Sequence, residues 1–296
     1  MADYRHVAYT LILYTDCRLT GESMDEKLES ILRTYRESQG TITVLTGAGI
    51  SAESGIPTFR GKEGYWTVGS QVYHPEELAT LEMFRLMPYE VWQWYLYRKT
   101  VCANAQPNAG HQAIARLEDL FRERFCLITQ NVDGLHLRAG NSSERTFQIH
   151  GNINTMRCSE ECTTEVTPIP PDIPPKDAET PLTEEDKRKL VCPRCGAVSR
   201  PHVLWFDEYY NEHHFRFNSS IQRARETDLL LVAGTSGATN LPMQVGVIVA
   251  QKGSGFIDIN PEPNPFSYMA RDSASGYYYC GSSGEILPAI VEFLAR

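Results

Sequence analysis

Along residues 25–38 the apolar positions Leu28, Ile31, Leu32 and Tyr35 recur at intervals of three and four, which predicts an amphipathic helix closed by Gly40. The period then changes. "TITVLT" (41–46) is a short apolar run with β-branched residues ending in a glycine turn, as expected of a strand buried on both faces of a parallel sheet. "FCLITQ" (125–130), "TDLLLVAGTS" (227–236) and "GFIDIN" (255–260) repeat that form. Helical patterns separate them at 108–121, in "MQVGVIVAQKG" and in the closing "EILPAIVEFLAR". Residues 76–102, rich in Leu, Met, Trp and Tyr and punctuated by Pro88, predict two or three helices forming a cap. Strands alternating with helices imply an α/β fold: a Rossmann-like parallel sheet with helices on both faces.

One segment breaks the alternation. Residues 155–199 hold seven of the 17 prolines, with cysteines at either end: Cys158-x-x-x-Cys162 and Cys192-x-x-Cys195. Two thiol pairs can close a tetrahedron around Zn²⁺, and four protein ligands leave no position for water, so the role is structural. A proline-rich stretch with few apolar residues gains from the metal the folding free energy that it lacks. The organisation expected is an N-terminal extension (1–24), a Rossmann-like domain (25–154 and 200–296, with a helical cap at about 65–107) and a small inserted zinc-binding module (155–199). Cys17, Cys102, Cys126 and Cys280 are expected as free thiols in a reducing, cytoplasmic setting.

Composition narrows the functional classes. The chain of 296 residues is 42% hydrophobic and 22% charged, ordinary for a globular protein, and its net charge is −9. An acidic balance opposes phosphate-driven nucleic-acid binding. No apolar run has the length of a membrane span, so neither nucleic acid nor membrane is an expected partner.

The chemistry gathers where strands end. "GAGISA" (47–52) fits a dinucleotide fingerprint through Gly47, Gly49 and Ala52, yet runs into "GIPTFRGKEGYW" instead of a long helix. "TQNVDGLH" places Gln130, Asn131 and Asp133 just past a strand, where open parallel sheets bind ligands. Asn131 and Asp133 suit a ribose and a carboxamide. "FQIHGNI" sets His150 between a strand and a glycine; histidine is the side chain best poised for proton transfer near neutrality. "GTS" (Gly234, Thr235, Ser236) can lend backbone N–H groups, and "INPEP" offers Asn260 and Glu262 to ribose hydroxyls. Four such loops favour one extended ligand.

In order and spacing these motifs resemble the sirtuins, NAD-dependent protein-lysine deacylases, over about residues 25–296: "GAGIS…GIPTFRG", "TQNVDGLH", "HG" (150–151), the two cysteine pairs, "RPHVLWF" (200–206), "GTS" and "INPE". The resemblance implies NAD as co-substrate, structural Zn²⁺ and acylated protein lysines as partners. It places Gly47, Ala48, Gly49 and Ser51 near the phosphates, and Ala52, Ile56, Phe59 and Arg60 around the nicotinamide and its ribose. Gln130, Gly234, Thr235, Ser236, Asn260, Pro261 and Glu262 are implied as further cofactor contacts, completed by Trp66 and Ser283. It implies His150 as general base and Asn131 and Asp133 as residues that orient the nicotinamide end. Val203, Trp205 and Phe206 would add a substrate strand. Departures from the family pattern are Thr58 and Asp207, where Asp and Gly are frequent, and the three residues inside the first cysteine pair.

"WYLYRK" (94–99) adds substrate choice. Tyr95 and Arg98 share one helix face at i, i+3. In sirtuins that remove succinyl or malonyl groups a Tyr-x-x-Arg pair lines the acyl pocket, and an arginine pairs a carboxylate bidentately. The sequence thus points to a desuccinylase or demalonylase. Plain deacetylation, ADP-ribosyl transfer to protein and a non-catalytic NAD sensor remain open beside it.

Overall fold

The computed structural model describes residues 24–57, 66–68 and 71–296. Residues 1–23, Thr58, Phe59 and Arg60, together with the Trp66 side chain, lie outside that description.

Eleven strands follow in chain order: β1 (Ile42–Thr46), β2 (Trp66–Val68), β3 (Gln71–Tyr73), β4 (Phe125–Thr129), β5 (Thr146–Gln148), β6 (Gly151–Cys158), β7 (Val166–Pro168), β8 (Ser199–Val203), β9 (Leu229–Ala233), β10 (Gly255–Asn260) and β11 (Gly276–Cys280). Six form one all-parallel sheet in the order β11-β10-β9-β1-β4-β5. The chain winds outward from β1 one way through β4 and β5, then returns to β9 and winds the other way. The direction therefore reverses between β1 and β9, which places the ligand crevice beyond their carboxyl ends.

The central strands carry apolar residues on both faces because both are covered. Ile42, Val44, Leu127, Leu231 and Ile259 pack with Leu28, Ile114, Leu117, Leu287 and Ile290 from the helices Glu26–Ser38, Ala109–Phe121 and Ser283–Ala295. Leu45, Ile128, Leu230, Val232 and Phe256 face the opposite side, against Ala224, Val245, Val249 and Phe266 of three other helices. Helix starts follow their caps. Asp25 accepts from the Lys27 amide at 2.8 Å, and Asn108 from the Gly110 amide at 2.9 Å.

A third core joins the helices Pro75–Leu78, Leu81–Leu86 and Pro88–Asn104 to an antiparallel sheet in the order β7-β6-β8. That sheet begins at Gly151, so it starts before the expected insert, and β2–β3 form a hairpin where a helical cap was expected. Cys102 and Cys126 are buried free thiols, as expected; Cys280 instead is disulfide-bonded.

Two glycines are required both by a positive φ and by backbone contact. A Cβ on Gly234, at φ +63°, would lie 2.3 Å from the Ile50 amide nitrogen. One on Gly151, at φ +84°, would lie 2.0 Å from the His202 carbonyl oxygen. Gly234→Ala is expected to cost about 2 kcal/mol or more through left-handed strain and the forced separation of the two turns. Urea unfolding of the variant measures this, and a midpoint equal to wild type would refute the close approach.

Candidate functional site

The crevice is built from the ends of β1, β4 and β9. The two glycine turns interlock through the Gly47 amide on the Ala233 carbonyl (3.1 Å) and the Gly49 amide on the Gly234 carbonyl (2.7 Å). Asn108 caps its own helix and also donates to the Ile50 carbonyl at 2.7 Å, fixing the first turn from the side. Glu53 accepts from the Gly284 amide at 3.1 Å, which draws the helix start at buried Ser283 against the same loop. Ala52 is exposed beside it and Ile56 is buried, its amide bonded to the Ser51 carbonyl.

Below these turns lies a buried polar network. Ser51 Oγ donates to Asp133 Oδ2 at 2.7 Å, and Asn131 Nδ2 donates to the Gly47 carbonyl at 3.0 Å and to Ser51 Oγ at 3.1 Å. Asp133 Oδ1 accepts from the Leu135 amide at 2.8 Å. Burial raises the Asp133 pKa, while the Leu135 amide and Ser51 act the other way. His111 lies 3.4 Å from Ser51 Oγ, and its ring centroid is 4.7 Å from that of His136. Burial lowers His111 to about 4 and holds His136 well below the ordinary histidine value. Both rings are thus neutral at pH 7.

Gln130 bridges the crevice. Its Nε2 donates to Thr235 Oγ1 at 2.8 Å, and its Oε1 accepts from Thr239 Oγ1 at 2.7 Å. The Gln130 amide is spent on the Thr46 carbonyl, so the backbone bond between Gln130 and His150 uses the Gln130 carbonyl. A ring nitrogen facing a carbonyl must carry the proton, which leaves Nε2 of His150 with the lone pair. Burial draws the His150 pKa down to about 4, so the ring is in the form a general base needs.

Two partners escaped sequence reasoning. Tyr210 lies 2.7 Å from His150 Nε2 through its hydroxyl, 60 residues away in the chain. Asp258, fully buried with its pKa raised to about 7 by burial, accepts from Asn260 Nδ2 at 2.5 Å and Asn264 Nδ2 at 2.9 Å. It thereby fixes the Asn260 side-chain amide through its Nδ2. Pro261 and Glu262 stand exposed beside it. A carboxylate two residues before "NPEP" was the available signal for Asp258; nothing in the sequence paired Tyr210 with His150.

The segment after β8 is tied back to the chain through its amides. The Leu204 amide is bonded to the His150 carbonyl (2.9 Å), the Trp205 amide to Glu208 (3.0 Å) and the Phe206 amide to the Ala79 carbonyl (3.0 Å). Val203 pairs with Gly151 inside the sheet. Asp207 caps the helix Leu81–Leu86, accepting from the Leu81 and Glu82 amides at 2.8 and 3.1 Å. Trp205 is buried and donates from Nε1 to the Tyr95 hydroxyl at 2.8 Å, so Tyr95 reaches the site through Trp205. Arg98 is half-buried, its guanidinium 6.0 Å from the Trp94 ring centroid.

The four candidate metal thiols come together at the far end of β6. Their sulfur atoms lie within 4.8 Å of one another, with Cys158–Cys195 at 3.5 Å and Cys162–Cys192 at 3.6 Å, and all four are free. Tetrahedral zinc with Zn–S bonds near 2.3 Å places its sulfurs about 3.8 Å apart, so this set fits Zn²⁺ closely. β6 separates it from His150 by roughly 20–25 Å at strand rise, which makes the metal structural.

Comparison with known proteins agrees with this architecture. The Sir2 family model matches residues 47–240. A Leptospira interrogans protein named NAD-dependent protein deacylase is 40% identical over 271 residues, covering 89% of this chain and 97% of the relative. NAD-dependent protein deacylase 1 of Archaeoglobus fulgidus is 38% identical over 273 residues, covering 92% and 99%. Among solved structures, a substituted Sir2 homologue in complex with 2′-O-acetyl ADP ribose is similar with a TM-score of 0.73 and 38% identity, covering 92% of this chain and 97% of that one. A Sir2 homolog–NAD complex gives a TM-score of 0.72 at 35% identity, covering 94% and 96%.

Two outcomes are expected. Purified protein should carry one zinc per chain, and its removal by a chelator should lower the unfolding temperature and expose the four thiols to a thiol reagent; full thermal stability without metal would contradict the structural role. His111 and His136 have lower pKa values folded than unfolded. Their stabilisation is therefore complete above about pH 6.5 and is lost as pH falls toward 4. His111→Gln should flatten the fall of unfolding free energy between pH 6.5 and 4.5 by about 1.4 kcal/mol per pH unit. An unchanged slope would show that His111 is not held neutral.

Proposed function

The chain belongs to the Sir2 family, and from that premise we propose that it removes acidic acyl groups, succinyl or malonyl, from protein lysines. The coarser activity is NAD-dependent protein deacylation, with NAD as co-substrate. The observation that carries the reading is the convergence of Gly47, Ser51, Gln130, Asn131, Asp133 and His150 at the switch point, with a neutral histidine at its edge.

In the reaction the acyl-lysine oxygen attacks C1′ of the nicotinamide ribose, the bond to nicotinamide breaks, and charge develops as in glycosyl transfer. Asn131 and Asp133, immobilised by Ser51 and the Leu135 amide, hold the nicotinamide end. Gly47, Ala48, Gly49, Gly234, Thr235 and Ser236 line the phosphates and the adjoining ribose with backbone and hydroxyl groups. Asn260, Pro261 and Glu262 take the other ribose. His150 accepts the proton of a ribose hydroxyl at Nε2 as that hydroxyl attacks the acyl carbon. The adduct expels the lysine amine, and one water taken up from solvent opens the remaining acyl–ribose species, so that NAD, acyl-lysine and water give nicotinamide, free lysine and O-acyl-ADP-ribose. No helix among the described residues is long and apolar enough to cross a membrane.

Tyr95 and Arg98 support acidic-acyl selection. The Tyr95 hydroxyl already accepts the Trp205 indole proton, so its own hydrogen is what it can offer, and burial raises its pKa and keeps that hydrogen in place. Arg98 lies one turn further along the same helix, close enough to act on Tyr95 electrostatically. Together they make a donor pair for a carboxylate. The 2′-O-acetyl ADP ribose bound by the 38% identical homologue makes plain deacetylation the second reading.

With NAD and matched peptides, succinyl-lysine should turn over at least about tenfold faster than acetyl-lysine, since only the acidic acyl group brings a carboxylate for the guanidinium to pair with. Arg98→Met should abolish or invert that preference. Faster acetyl turnover, unaffected by Arg98→Met, would leave a general deacetylase. His150→Ala should abolish O-acyl-ADP-ribose formation, read by mass spectrometry.

A further inference from the structure

The Tyr210 hydroxyl is the one protein group bonded to the lone-pair nitrogen of His150 among the described residues, at 2.7 Å. The rings stand 5.7 Å apart by centroid, and Phe217 backs Tyr210 at 6.5 Å. Thr239 spends its own hydrogen on Gln130 Oε1, and the Gln130 carbonyl receives Nδ1–H of His150. Tyr210 therefore faces the one ring nitrogen that Gln130 leaves open.

A tyrosine hydroxyl can donate one hydrogen and accept another. Resting on the deacylase reading above, we propose that Tyr210 is the positioning residue of the general base, a two-way partner for Nε2 of His150. While the ring is neutral, Tyr210 donates to Nε2. When a ribose hydroxyl arrives, the phenol hydrogen turns aside and frees the lone pair. The ribose O–H bond then breaks, its proton forms an Nε2–H bond, and its electron pair makes the new bond to the acyl carbon as the C=N π pair of the imidate moves onto the lysine nitrogen. The imidazolium that results can donate to the Tyr210 oxygen. An aromatic residue without a hydroxyl would fill the same space yet offer nothing to either charge state.

The departure of nicotinamide precedes the need for the base, so the two steps separate the roles. Tyr210→Phe keeps the ring and removes only the hydroxyl. Exchange of labelled nicotinamide into NAD, in the presence of acyl-peptide, is expected to stay within about twofold of wild type, while O-acyl-ADP-ribose formation falls about tenfold, as loss of one supporting hydrogen bond implies. Equal losses in exchange and product formation would assign Tyr210 to packing alone and overturn the proposal, as would a Tyr210→Phe enzyme with wild-type product formation. A wild-type protein that exchanges no nicotinamide would instead overturn the deacylase reading itself, so the two failures are distinct.

Discussion

The contact on which the rest depends is the interlocking of two glycine turns at the end of the central sheet. The Gly49 amide reaches the Gly234 carbonyl at 2.7 Å, and neither position has room for a Cβ: one on Gly49 would meet Gly234 Cα at 2.7 Å. This closeness holds the carboxyl ends of β1 and β9 in register, and β4 follows through its pairing with β1. Side chains that leave these three strands then have one small volume to enter. Because the residues in it are buried, a polar group there costs stability unless it finds a partner. Thr46 donates to Thr129, Thr129 accepts from the Asn131 amide, and Asn131 reaches both Gly47 and Ser51. Such a network costs stability if any member is lost, yet it fixes the rotamers of the residues proposed to act on NAD before the ligand arrives.

The zinc end of the molecule serves the same end from a distance. β6 runs from the residue after His150 to Cys158, and β8 runs from near Cys195 to the segment bonded to the His150 carbonyl. Closing the four thiols fixes the register of β6 against β8. That register decides whether the Leu204 amide meets His150. A metal with no place for water thus affects the base by holding two strands, not by touching the substrate.

What the sequence disclosed follows from burial and locality. The parallel strands were legible because both faces are covered, so each appears as an unbroken apolar run. The helix Glu26–Ser38 buries Leu28, Ile31, Leu32 and Tyr35, the four positions its periodicity marks. The cysteine pairs were legible because metal ligands must recur at short spacing. Features made by contact between distant segments were not. β11 is "GYYYC", where Tyr277 and Tyr278 are partly exposed and no aliphatic run marks the strand. The β7-β6-β8 sheet holds prolines and charged residues, because its order comes from pairing and metal ligands as well as from an apolar face. Asp207 looked like a departure in a substrate strand; it is a helix cap whose recipient lies more than 120 residues earlier. Tyr210 sits in "DEYYNE", where nothing local separates a base partner from a surface tyrosine.

The loop after β8 shows how far such contacts reach. Arg200 is buried and pairs bidentately with Glu208, at 2.5 and 2.7 Å, while its guanidinium lies 3.5 Å from the Trp205 ring centroid. Glu208 also accepts the Trp205 amide. A buried ion pair is weak evidence of net stability, since desolvation offsets most of its attraction. Its geometry matters more here. The pair clamps both ends of 200–208, stacks on Trp205, and so aims the indole N–H at Tyr95. Tyr95 is then left with a single hydrogen to offer, and Arg98 stands on the next turn of its helix. Tyr95, which the proposed reading assigns to acyl selection, is therefore oriented through Trp205 by charges on another segment. Replacing Arg200 by lysine would keep the charge but lose both the fork and the stack, and with them the constraint on Tyr95.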